Sequence, residues 1–126
     1  NIFVVVIDDN DSIRAGLKAL LTLWGYKVVV YQDSVDAIQG LASQSVIPNV
    51  LICDYRLPGE KTGIEVINSI KSIYGNEISA LLITGDTEKQ HLQNLDSADA
   101  EVLFKPIAPI KLRTFLRTSA LKFKAN

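Results

Sequence analysis

Four polar positions each come at the end of an apolar run, and their side chains are the ones that could do chemistry together. The acidic pair Asp8-Asp9 follows the first run, Asp54 ends the third, Thr84 ends the fourth and Lys105 follows the fifth. Three carboxylates held close together repel one another by about 4 kcal/mol per close pair at an effective dielectric constant of 20. A cluster of this kind therefore calls for a cation.

The chemistry that these residue types support is phosphoryl transfer assisted by a metal ion. Oxygen-only ligands select Mg²⁺ or a similar hard ion. A bound dication would bring a phosphoryl oxygen to the site and leave Asp54 free to attack phosphorus. Lys105 could then neutralise the other phosphoryl oxygens, while Thr84 donates a hydrogen bond.

These positions can meet only if the apolar runs are parallel strands of one sheet, because the carboxyl ends of parallel strands share one edge. The run before Asp54 is apolar on both faces, which is typical of a central strand covered by helices on each side. Strict alternation of strands and helices predicts right-handed crossovers and a doubly wound α/β fold. The predicted strands span 2–7, 27–31, 50–54, 79–84 and 101–104.

A helix is predicted after each strand, giving five strands and five helices. Asp11 is expected to cap the first helix and Gly25 to end it, and Thr62 and Gly75 are expected to do the same for the third. The second helix should open at Ser34, the weaker and more polar fourth should span about 88–95, and the last should span 109–123.

Composition limits the class of protein. The chain has 126 residues, of which 48% are hydrophobic, and this size predicts a single domain over residues 1–126. A net charge of -1 gives no support to binding nucleic acid or an anionic membrane. One Cys and no apolar stretch of about 18 residues predict a cytoplasmic setting. Because the chain begins with Asn and has no Met, we expect it to be a piece of a longer protein.

The whole pattern resembles the receiver domains of two-component response regulators. That family has an acidic pair after strand 1, a phosphoacceptor Asp after strand 3, Ser or Thr after strand 4 and Lys-Pro after strand 5. The counterparts here are Asp8-Asp9, Asp54, Thr84 and Lys105-Pro106. The resemblance implies a flavodoxin-like strand order of 2-1-3-4-5 and a cis peptide bond before the proline.

The resemblance also implies ligands and partners. Asp9 and Asp54 would bind Mg²⁺ directly together with the backbone carbonyl of Arg56, and Asp8 would support the ion through water. Asp54 would receive its phosphoryl group from a histidine of a sensor kinase or of a histidine phosphotransfer domain. Residues 54–58 and 82–86 are most similar to the receivers at the C-terminus of hybrid sensor histidine kinases.

Two features depart from the family pattern. The loop from Asp54 to Gly63 is one residue longer than in the single-domain chemotaxis regulator. Val102 stands three residues before Lys105, where the family usually has the Tyr or Phe that reports phosphorylation. The resemblance therefore does not indicate how this domain would transmit its signal.

Other interpretations remain open from the sequence. Asp8, Asp9 and Asp11 could merely cap the first helix, and Cys53 is expected to be a small buried thiol on the sheet face opposite Asp54. An aspartyl-phosphate phosphohydrolase similar to the haloacid dehalogenases is an enzymatic alternative, although its nucleophile would follow strand 1. A pseudo-receiver used only for protein contacts is a third. No Gly-x-Gly-x-x-Gly motif or P-loop favours nucleotide binding.

Overall fold

A computed structural model describes residues 2–59, 61–85 and 100–124. Five strands form one parallel sheet in the order β2-β1-β3-β4-β5, which confirms the predicted α/β fold and strand order. The strands are β1 (Phe3–Ile7), β2 (Lys27–Tyr31), β3 (Val50–Asp54), β4 (Ser79–Thr84) and β5 (Ala100–Phe104). The helices are α1 (Asp11–Leu23), α2 (Ser34–Ala42), α3 (Gly63–Tyr74) and α4 (Pro109–Lys124).

The described residues therefore contain four helices rather than the five expected. The predicted helix over 88–95 lies outside the described residues, and α4 is the helix that was predicted over 109–123. The strand predictions agree with the structure to within one residue at each end. Within the described ranges, no helix is both long enough and apolar enough to cross a bilayer.

The central strand β3 explains why its segment of sequence is apolar on both faces. All five of its residues are buried, and it lies between β1 and β4 in the sheet. Successive side chains of a strand point to opposite faces, so each face of β3 must be covered. Leu51 and Cys53 pack on one side of the sheet, and Val50 and Ile52 pack on the other.

These two sides define two cores. The first, which we call the α2/α3 core, contains side chains from α2 and α3 such as Leu41 and Ile67. The second, the α1/α4 core, contains side chains from α1 and α4 such as Leu21 and Leu116. The central strands are thus buried on both faces, and β3 and β4 each carry a polar residue, Asp54 and Thr84, at the carboxyl end.

The N-cap of α1 differs from the prediction. The cap is Asn10, whose side-chain oxygen accepts a hydrogen bond from the backbone N–H of Ile13 at 3.0 Å, and Asp11 is the first helical residue. A cap requires extended backbone outside the helix, which Asn10 has at φ -84° and ψ 119°. The predicted role of Gly25 is confirmed, because it follows the C-cap with φ 94°.

The other helix ends follow the expected chemistry. The prediction that α2 opens at Ser34 is confirmed, with Asp33 as the residue that caps it. Thr62 caps α3, as predicted, and it does so in a reciprocal capping box with Glu65. Gly75 ends α3 with φ 117°, a backbone conformation that side chains rarely adopt.

Candidate functional site

The carboxyl edge of the sheet brings together the three acidic residues that the sequence singled out. Ligand oxygens of Asp8, Asp9 and Asp54 all lie within 4.8 Å of one another. Asp8 and Asp54 are buried, with 2% and 6% of their surface exposed, whereas Asp9 is exposed. Two carboxylates thus lie at the bottom of the cluster and one at its rim, and together they could hold a metal ion.

The Asp8 residue is held from three directions. Its backbone N–H donates to the carbonyl of Tyr31 at 3.1 Å, which extends the pairing of β1 with β2 by one residue. Its carboxylate Oδ1 accepts a hydrogen bond from the backbone N–H of Asn10 at 2.9 Å. Its carbonyl accepts one from Nη1 of Arg14 at 2.7 Å. The turn between β1 and α1 is therefore fixed around this residue.

The Asp54 carboxylate faces the ammonium group of Lys105. Lys105 Nζ lies 3.2 Å from Asp54 Oδ2, although 51 residues separate them in sequence. The backbone N–H of Lys105 also donates to the carbonyl of Thr84 at 2.7 Å, which ties the end of β5 to that of β4. The Lys105-Pro106 peptide bond is cis, as the family resemblance implied.

The remaining predicted site residues lie at the same edge. Thr84 is fully buried, and its hydroxyl donates to the carbonyl of Gly85 at 3.4 Å. Arg56 follows β3, and its backbone forms a hydrogen bond with the Asp54 carboxylate. Cys53 is fully buried in the α2/α3 core, where burial raises the pKa of its thiol, so the expectation of a small buried thiol is confirmed.

Burial dominates the electrostatics of the two inner carboxylates. Loss of solvation raises the pKa of Asp8 above its usual 3.8, and the Asn10 hydrogen bond, the Lys105 ammonium and Arg14 offset only part of this. Burial likewise raises the pKa of Asp54, and the negative charge of Asp8 raises it further against the opposing effect of Lys105. The cluster thus disfavours its own ionisation, which is the condition that a bound cation would relieve.

These raised pKa values predict a pH dependence of stability in the absence of divalent ions. A carboxyl group whose folded pKa is raised adds stability below its unfolded pKa and loses it as pH rises through the folded value. The stabilising effect of Asp8→Asn, measured by urea unfolding in EDTA, should therefore be largest at neutral pH and vanish below pH 3.8, the usual pKa. Saturating Mg²⁺ should reverse the advantage at neutral pH. A difference between variant and wild type that is independent of pH would contradict this prediction.

Two residues at this edge were missed by the sequence reasoning. Arg14 was not singled out, although a cation six residues after Asp8 and on the first turns of α1 is close enough to reach back to the turn. Gly63 was taken only as the end of a loop, yet a Cβ built on it would overlap the carbonyl oxygen of Asp54. Both contacts depend on how α1 and α3 are placed against the sheet, which sequence spacing does not specify.

Comparison with known proteins identifies the family. Residues 4–117 match the family described as the response regulator receiver domain. The response regulator MprA of Mycobacterium ulcerans (strain Agy99) is 29% identical over 124 residues, covering 94% of this chain and 52% of that protein. MprA of Mycobacterium avium (strain 104) is 30% identical over 115 residues, covering 90% of this chain and 49% of that protein. The chain thus spans about half the length of these curated relatives.

Solved structures agree with the fold. A response regulator receiver domain protein from Clostridium thermocellum superposes with a TM-score of 0.86 at 21% identity, covering 99% of this chain and 98% of that one. The chemotaxis response regulator CheY4 of Vibrio cholerae superposes with a TM-score of 0.78 at 26% identity, covering 94% and 98%.

The family match and the geometry point to the same conclusion. The family match extends over most of the chain, and the pocket formed by Asp8, Asp9 and Asp54 is typical of a phosphoacceptor site. Receiver domains act in two-component signalling, in which the partner is a histidine kinase. The chain belongs to the response regulator receiver domain family.

Proposed function

We propose that this domain accepts a phosphoryl group on Asp54 from a histidine of a sensor kinase or of a histidine phosphotransfer domain, with Mg²⁺ as the cofactor. The observation that carries the proposal is the meeting of three carboxylates and the Lys105 ammonium at one edge of the sheet. This arrangement offers a nucleophile, ligands for a cation and a fixed positive charge within one pocket.

The donor set suits a hard dication. Every donor in the cluster is a carboxylate oxygen, and oxygen ligands favour Mg²⁺ over softer metals. We propose that Asp9, Asp54 and the backbone carbonyl of Arg56 hold the ion directly and that Asp8 holds it through water. When bound, the ion neutralises carboxylate charge and orients a phosphoryl oxygen.

Three residues of the chain would then have separate roles in phosphoryl transfer. A carboxylate oxygen of Asp54 attacks phosphorus while the bond from phosphorus to the donor imidazole nitrogen breaks, and that nitrogen keeps the electron pair. Lys105, already 3.2 Å from the Asp54 carboxylate, offsets negative charge on the transferred group. The Thr84 hydroxyl at the end of β4 would donate a hydrogen bond to a phosphoryl oxygen after rotation away from the Gly85 carbonyl.

The direct test is incubation with Mg²⁺ and acetyl phosphate, followed by intact mass measurement. One phosphoryl group per chain is expected, removable by hydroxylamine and absent when EDTA replaces Mg²⁺. Turnover of the phosphodonor without an adduct would instead support a phosphohydrolase. The absence of both an adduct and turnover would support a pseudo-receiver. Turnover without an adduct, or the absence of both, would refute the proposal.

Lys105→Ala should separate metal binding from phosphorylation. Lysine is no metal ligand at neutral pH, so Mg²⁺ affinity should be retained, whereas the rate of phosphorylation should fall about 100-fold because a preorganised positive charge is lost. The rate can be followed by intact mass at saturating Mg²⁺. Lys111→Ala, on the exposed surface of α4, is the matched control and should behave as wild type. Lost metal affinity with a normal rate would contradict the assigned role.

As a finer assignment, we propose that the domain comes from a longer protein, in the cytoplasmic part of a hybrid sensor histidine kinase. The support is the similarity of residues 54–58 and 82–86 to such receivers. The sequence of the full reading frame tests this assignment. A kinase core upstream of the domain is the expected result, and an output domain in its place would argue for a response regulator.

A further inference from the structure

The Arg14 side chain bridges the turn that carries two of the three carboxylates. Arg14 is the fourth residue of α1, and its Nη1 donates to the carbonyl of Asp8 at 2.7 Å, while its Nη2 pairs with the carboxylate of Asp11. The two contacts differ in environment. The Arg14 side chain is only 16% exposed, whereas that of Asp11 is 91% exposed. An exposed ion pair contributes little, so the buried contact with Asp8 is the one to explain.

The Asp8 carbonyl is a sensitive point in the site. It lies just after β1, where the backbone N–H of the same residue makes the last hydrogen bond to β2, at Tyr31. Beyond this carbonyl the chain turns through Asp9 to Asn10, the N-cap of α1. The orientation of this peptide group therefore decides where the carboxylate of Asp9 lies relative to Asp8 and Asp54. A contact that fixes the Asp8 carbonyl therefore also fixes the position of the Asp9 carboxylate at the rim of the pocket.

We infer that Arg14 is a positioning residue: its guanidinium holds the turn of residues 8–10 in the conformation that brings the carboxylates of Asp8 and Asp9 to Asp54. This inference rests on the proposed function, since it assigns Arg14 to the same metal site. Arg14 acts through the backbone and touches neither metal nor phosphoryl group. Residues that orient ligands in this way typically change metal affinity by about 10-fold to 100-fold when replaced.

A purely electrostatic role is the competing explanation. Arg14 is a cation beside an acidic cluster, and any cation at that distance offsets some carboxylate repulsion. The two roles make different predictions for Arg14→Lys. Lysine keeps the charge but has a single ammonium group in place of the planar guanidinium fork, so it does not reproduce the geometry of the hydrogen bond to the Asp8 carbonyl.

The experiment measures Mg²⁺ affinity by titration calorimetry without any phosphodonor, and then the phosphorylation rate at saturating Mg²⁺. Arg14→Gln and Arg14→Lys should both weaken Mg²⁺ binding about 10-fold. Their rates at saturating Mg²⁺ should stay within about twofold of wild type, because the nucleophile and Lys105 are unaltered. Asp11→Asn and Lys18→Gln, two exposed positions on α1, are the controls and should leave affinity unchanged.

The possible outcomes distinguish failure of the positioning role of Arg14 from failure of the proposed phosphoacceptor function. Wild-type affinity in Arg14→Lys would assign Arg14 an electrostatic role and overturn positioning, as would an equal loss in Lys18→Gln. Unchanged affinity in both Arg14 variants would also overturn it. If Arg14→Gln does not fold, Arg14→Lys carries the same test alone. A wild-type domain that binds no Mg²⁺ would instead refute the proposed function.

Discussion

Asp54→Asn is expected to abolish the phosphoryl adduct, with a rate at least about 1000-fold below wild type. The amide has nearly the same shape as the carboxylate and can still lie beside Lys105, but it has no anionic oxygen to attack phosphorus. The variant should also be at least as stable as wild type without Mg²⁺, because burial and the charge of Asp8 disfavour ionisation of this group. Loss of the adduct would then reflect missing chemistry rather than unfolding.

The measurement is intact mass after incubation with acetyl phosphate and Mg²⁺, with circular dichroism to verify the fold. Asp36→Asn is the matched control, since this carboxylate is exposed, lies on α2 and accepts a hydrogen bond from Gln32. It should be phosphorylated at the wild-type rate. An Asp54→Asn protein that gained a hydroxylamine-sensitive phosphoryl group at that same rate would place the phosphoacceptor elsewhere.

The second large effect is expected from Gly63→Ala. Gly63 is the first residue of α3, and its N–H donates to the carbonyl of Tyr55 at 2.8 Å, which pulls the start of the helix against the end of β3. A Cβ at this position would overlap the carbonyl oxygen of Asp54 and lie 2.9 Å from Leu82 Cδ1. The leucine can rotate, but the backbone of Asp54 must move.

We expect Gly63→Ala to lower the free energy of unfolding by about 1 to 3 kcal/mol, the usual range for overpacking a closely packed position. The displaced Asp54 should also be phosphorylated more slowly. Urea unfolding and the phosphorylation rate measure the two effects. The control is Gly16→Ala in α1, where an added Cβ meets nothing within 4 Å. This substitution should stabilise the helix by about 0.5 to 1 kcal/mol, because alanine favours helix more than glycine does. Equal stability of the two variants would mean that the approach of α3 to β3 is not tight.

The strands were predictable because the sheet is covered on both faces. Burial on both sides removes the polar alternation of an ordinary strand, so β1 and β3 stand out as continuous apolar runs. Alternation with helices then requires parallel pairing, which brings the carboxyl ends to one edge, and the strand order implied by the family resemblance places β3 beside β1 and so Asp54 beside Asp8. The acidic pocket follows from the order of elements more than from any one motif.

The details that sequence did not provide are set by backbone geometry across the chain. Asn10 and Asp11 are both good capping residues, and which of them caps α1 depends on the residue at which β1 ends and the turn begins. To predict the contacts of Arg14 and Gly63, one would need to know the positions of α1 and α3 along their axes to within about one ångström. Nothing in residue type alone distinguishes Gly63 from Gly16, although one lies against Asp54 and the other in open space.

The division of the interior by the sheet has a consequence for how the domain can vary. Among the described residues, the α2/α3 core and the α1/α4 core have no buried member in common. Within the described ranges, a change of side-chain volume in one core reaches the other through the strands that separate them, and distant substitutions without shared partners combine nearly additively. The surfaces formed by α2 and α3 can therefore diverge separately from those of α1 and α4. The domain can thus be remodelled on one face while the packing beneath the other face is preserved.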